Sequence, residues 1–61
     1  MTHATALARA EHFDALAAAM FYEAETARRA RLYSDAAELT CRATRASRTA
    51  ADYRREASRM N

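Results

Sequence analysis

Sixty-one residues run without a single glycine or proline. Phosphate-cradling loops, dinucleotide-binding turns and nucleophile elbows need the positive φ or close backbone approach that glycine supplies, so those chemistries are excluded. Alanine and arginine, two of the best helix formers, contribute 18 and 10 residues, and neither strong helix breaker opposes them. The chain is predicted to be all-α.

The apolar spacing then constrains how helices pack. Leu32, Ala36, Leu39, Ala43, Ala46, Ala50, Tyr53, Ala57 and Met60 follow one another at alternating spacings of 4 and 3, a heptad seam with alanine at every seventh residue. An earlier seam, Ala6, Ala10, Phe13, Ala17, Met20, Ala24 and Ala27, has the same rhythm. Its next step falls on Arg31 rather than Leu32, so the two seams are one residue out of register. A single helix of roughly 90 Å with a local distortion accommodates that slip. So does a turn between two antiparallel helices, and the end signals favour the turn. Arg28, Arg29 and Arg31 would offset the negative end of a first helix. Ser34 or Asp35 can cap a second, with Asp35 and Glu38 at capping-box spacing. Arg54, Arg55 and Arg59 gather towards the far end. At the start, Thr2 or Thr5 is the candidate cap and residues 1–4 are expected to fray. Only the missing glycine argues against a tidy helix end before the turn.

The expected architecture is one antiparallel helical hairpin over residues 1–61, with helix one at about 5–31, a turn at about 32–35 and helix two at about 35–60. Folding there pairs positions whose numbers sum to 66 or 67. Phe13 meets Tyr53, Ala17 meets Ala50, Met20 meets Ala46, Ala24 meets Ala43 and Ala27 meets Leu39. Together with Ala10 these form the expected seam, whose small residues allow close helix approach from both sides.

Such a seam stabilises little. A buried methyl contributes only ~0.8 kcal/mol, whereas ordering each residue costs roughly 1.5 kcal/mol. A lone hairpin is expected to be marginal, and self-association is expected to supply what is missing. Leu7, Leu16 and Phe21 flank the first seam, with Tyr22 further round. They are the expected contact surface for a homodimer forming a four-helix bundle, or for another helical protein; the plain alternative is scattered exposed apolar residues, which are common. In length, helix count and small residues facing across the seam, the layout resembles the Rop-type bundles, small RNA-binding hairpin dimers of plasmid copy control. The resemblance is architectural, and no motif or residue role carries over.

The charges suggest a second surface. Ten arginines, with no lysine, face eight acids for a formal net charge of +2. Arg42, Arg45, Arg48, Arg55 and Arg59 lie on the side of helix two away from its seam, spanning about 26 Å, which is long enough to follow several phosphates. Arginine suits bidentate phosphate contacts, and Thr44, Ser47 and Thr49 place hydroxyls among them. Against this, Glu38, Asp52 and Glu56 precede Arg42, Arg55 and Arg59 by three or four residues, the spacing of local pairs on a solvated face. No aromatic residue interleaves for base stacking.

No catalytic, cofactor or metal residue is expected. His3 and His12 lack the Glu-x-x-His context of a di-metal bundle, and Glu23 and Glu25 diverge on a helix. Cys41 has neither a disulfide partner nor a base placed to activate it, and Ser34, Ser47 and Ser58 have no triad context. The start lacks the basic region of a signal peptide. The longest apolar run, Ala15–Tyr22, has eight residues, against ~20 for a bilayer span. A cytoplasmic protein without a small-molecule substrate is expected. Its expected role is a non-catalytic helical interaction module, an adaptor or regulator; the alternative is a small nucleic-acid-binding regulator using the arginine side of helix two.

Overall fold

The computed structural model describes residues 1–60 and contains helix α1 (His3–Arg29) and helix α2 (Tyr33–Arg59), each of 27 residues. They lie antiparallel against each other in a rod whose Cα extents are 46 × 13 × 12 Å. The chain is thus all-helical among the described residues, as the seams predict.

Both helices begin and end earlier than their spacing suggests. The expected bounds of about 5–31 and 35–60 become 3–29 and 33–59, and the turn moves from 32–35 to Ala30–Leu32. At the start, residues 1–4 are not a loose end: Thr2 caps α1, its Oγ1 accepting from the Thr5 backbone N–H at 3.1 Å. At the other end of α1, Arg31 takes φ 64° in the left-handed region. The Leu32 N–H then reaches back to the Ala27 carbonyl (2.8 Å), and the Arg31 N–H to that of Arg28 (3.0 Å). This is a Schellman closure with arginine in the place glycine usually takes. It ends α1 two residues before the apolar rhythm would. The second helix starts at once: Leu32 is its N-cap residue and supplies no side-chain hydrogen bond, so neither Ser34 nor Asp35 caps it. Asp35 lies instead within the first turn, where its charge complements the helix dipole.

Between the helices, ten alanines are buried, and they are the only fully buried residues described: Ala6, Ala10, Ala17, Ala24 and Ala27 from α1, and Ala36, Ala43, Ala46, Ala50 and Ala57 from α2. The larger members of the seam, Phe13, Met20, Leu39 and Tyr53, are only half-buried. The cause is geometric. Methyl groups on both sides let the backbones approach, which leaves no room for a larger side chain between them, so those side chains lie across the edges of the contact. The Phe13 and Tyr53 rings stack there, with centroids 5.9 Å apart and planes inclined by 13°. That pair sets the register, with positions summing to 66.

The two chain ends are tied together as well. His3 is half-buried rather than a surface residue, and its Nδ1 lies 2.9 Å from the Ala57 carbonyl in the last turn of α2. That carbonyl also accepts from the Met60 backbone N–H at 3.1 Å, so the imidazole N–H is its second donor and links the start of α1 to the end of α2.

Candidate interaction surfaces

An antiparallel pair in contact along one seam leaves two lateral sides, each built from a flank of both helices. Residues seven apart share a flank. On the first side Leu7, Asp14 and Phe21 of α1 stand beside Tyr33, Thr40, Ser47 and Arg54 of α2. The ion pair between Asp14 and Arg54, which bridges the helices, shows that these flanks adjoin. On the second side Leu16 and Glu23 of α1 stand beside Asp35, Arg42 and Thr49 of α2. A cleft of about 550 Å³ near the turn is lined by Tyr22, Glu23, Asp35, Leu39 and Arg42, so these flanks adjoin too.

The three residues expected to form a contact surface are all exposed, Leu7 at 39%, Leu16 at 36% and Phe21 at 44%, but they do not form one surface. Leu7 and Phe21 belong to the first side and Leu16 to the second. Tyr22, Leu32 and Tyr33 are more exposed still. Ala15, Leu16, Ala18, Ala19, Phe21 and Tyr22 are exposed around the middle of α1, so that stretch is apolar around its whole circumference. A helix of that kind is ordinarily surrounded by other chain.

The arginine side of α2 is largely paired within itself. Arg42 binds Glu38 at 2.7 Å, Arg59 binds Glu56 at 3.4 Å, and Arg55 binds Asp52. These are exposed local pairs that contribute little to stability. Arg45 and Arg48 are exposed and make no ion pair among the described residues. Two of the hydroxyls expected to join a phosphate contact donate elsewhere: Thr44 Oγ1 to the Thr40 carbonyl (2.9 Å) and Thr49 Oγ1 to the Arg45 carbonyl (3.0 Å). Thr44 and Ser47 in fact lie towards the first side, away from the arginines. Arg54, expected near the C-terminal end, is instead the interhelix partner of Asp14. Cys41 is exposed, and no group of three His, Cys, Asp or Glu residues among those described is arranged to hold a metal. No described helix is long and apolar enough to cross a membrane.

The Asp14–Arg54 pair is also signalled in the sequence, outside the two seams. Once Phe13 faces Tyr53, the next residue of each antiparallel helix turns to the same edge, and those residues are Asp14 and Arg54. The His3 contact had no such signal, because it depends on where α1 begins. No known family model matches the chain, and no curated protein or solved structure is detectably similar to it.

Proposed function

We propose that the protein is a non-catalytic helical interaction module, an adaptor or regulator that works through protein–protein contacts. One observation carries this reading: every fully buried residue among those described is alanine, while Leu7, Leu16, Phe21, Tyr22, Leu32 and Tyr33 remain exposed. The side chains able to contribute ~1.5–3 kcal/mol each on burial are the ones still in contact with solvent. The exposed area agrees. The chain exposes 4436 Å², whereas a compact monomer of 6.8 kDa is expected to expose about 4,000 Å².

The second reading, a nucleic-acid-binding regulator, is supported by Arg45 and Arg48, which stand exposed without carboxylate partners among the described residues. One comparison separates the two. Fluorescence anisotropy with a labelled RNA hairpin and a DNA duplex, at several salt concentrations, should show no saturable binding if protein contacts are the function. Helicity and thermal stability should meanwhile fall in Phe21→Ser, whose exposed side chain a protein contact would cover. Tight binding that weakens steeply with salt, and is lost when Arg42, Arg45 and Arg48 become glutamine, would put the nucleic-acid reading in its place.

A further inference from the structure

The charge distribution around α2 separates the two sides of the hairpin. Of its ten charged residues, nine lie on the outer face or the second side; Arg54 alone lies on the first. In its place the first side carries Ala37, Thr40, Thr44, Ser47 and Ala51, spaced 3, 4, 3 and 4 residues apart. That is another uninterrupted heptad ladder, and this one faces outward. Its threonines are less polar than they look. Thr40 Oγ1 donates to the Ala36 carbonyl at 2.8 Å and Thr44 Oγ1 to the Thr40 carbonyl at 2.9 Å, so both hydroxyl protons are used within the helix. Alongside, α1 presents the projecting side chains of Leu7 and Phe21, with Glu11 and Glu25 at the rim and Glu25 held by Arg28 and Arg29.

We propose that this side is a self-association surface whose occupant is a second copy of the chain. The two copies are related by a two-fold axis running along the hairpin, so that α1 of each lies against α2 of the other. The inference rests on the interaction-module reading and names its partner. The surface is self-complementary in shape where Phe21 on the α1 flank meets the ladder of small residues that the α2 flank carries between Tyr33 and Arg54. An axis along the hairpin keeps levels matched, and the Phe13–Tyr53 register then places Phe21 beside the second copy's Thr44 and Ser47.

Charge selects this axis over the alternative. Asp14 and Arg54 bridge the helices in each copy. With the axis along the hairpin, the two pairs meet at one level and alternate around the bundle, each carboxylate between two guanidinium groups. An axis across the hairpin would act near the middle of α1, which spans 3–29, and would bring Asp14 towards Asp14 and Arg54 towards Arg54. Like charges brought towards one another oppose assembly. The alternating arrangement also fixes register, a role that charged groups in an otherwise small-residue interface are suited to.

Sedimentation equilibrium with circular dichroism, on the full chain between micromolar and several hundred micromolar, tests this. The wild type should be a helical dimer. Ser47→Arg, at an exposed position, should weaken dimerisation at least tenfold. Arg48→Glu on the outer face should leave it unchanged. Asp14→Arg and Arg54→Asp should each impair the dimer, and an equimolar mixture of the two should recover a heterodimer, even if either variant alone is poorly folded. With nitroxide labels on Ser34→Cys in a Cys41→Ser background, the two turns should lie at the same end of the bundle. Turns separated by about 40 Å, the length of one helix, would overturn the axis. A wild type that stays monomeric throughout overturns the second copy as occupant. So does a dimer indifferent to Ser47→Arg, or a mixture that recovers nothing. None of these decides the broader reading, which fails separately if salt-sensitive nucleic-acid binding through the arginine side is found.

Discussion

Arg31 is the residue on which the hairpin turns. It occupies the left-handed region at φ 64°, where a side chain with Cβ costs roughly 1–2 kcal/mol. The two backbone hydrogen bonds of the Schellman closure and the packing that follows hold it there. Arg31→Gly removes the steric cost but adds freedom to the unfolded chain, so the expected net effect is a gain of about 0.5–1 kcal/mol. Chemical denaturation of the two proteins at equal concentration measures it, and a loss of stability would mean that the arginine side chain contributes something the backbone geometry does not show. His3 acts at the opposite end. Its imidazole supplies a donor to the Ala57 carbonyl in the last turn of α2, and His3→Ala should cost about 0.5–1.5 kcal/mol. Faster amide exchange confined to the first turn of α1 and the last turn of α2 would identify the lost contact as the cause.

At the scale of the helix pair, the alanine seam determines how near the backbones come. Ala50 is wholly buried. Replacing its methyl with an isobutyl group, Ala50→Leu, adds apolar surface and yet should destabilise by at least 1–3 kcal/mol, because the helices must separate along their length to admit it. An unchanged or raised denaturation midpoint would show that the seam is loosely packed. This packing was legible in the sequence because the seven-residue spacing of Ala10, Ala17 and Ala24, and of Ala43 and Ala50, leaves few other ways to bury those methyls. The helix ends were harder to read. The apolar rhythm includes Leu32, which the structure makes the N-cap residue of α2 rather than part of it, and nothing in the composition marks an arginine as the left-handed residue. The surfaces were legible only in part. Spacing shows that Leu7, Leu16 and Phe21 lie beside the seam, but dividing them between two sides requires knowing which flank of α2 adjoins which flank of α1. The hydroxyls of Thr44 and Thr49 suggested phosphate contacts because bonding to a carbonyl four residues back leaves no trace in a charge pattern.

Taken whole, the molecule is a rod 46 Å long with a core of methyl groups and its larger apolar side chains outside. The conformational entropy of a chain this size needs more apolar burial than ten alanines provide. If a second copy completes the core, folding and assembly become one equilibrium and stability depends on concentration. Each tenfold increase in protein then favours the folded dimer by about 1.4 kcal/mol. Two chains of 61 residues unfold with an entropy on the order of 0.26 kcal/mol/K, so Tm should rise by about 5 °C per tenfold increase. Thermal melts followed by circular dichroism from micromolar to millimolar protein give that slope directly. Ser47→Arg should flatten it by leaving the hairpin alone in solution, with a Tm below that of the wild type at every concentration. A wild-type Tm that ignores concentration would mean that the alanine seam suffices for one copy. The exposed Leu7 and Phe21 would then be open to a partner of different sequence.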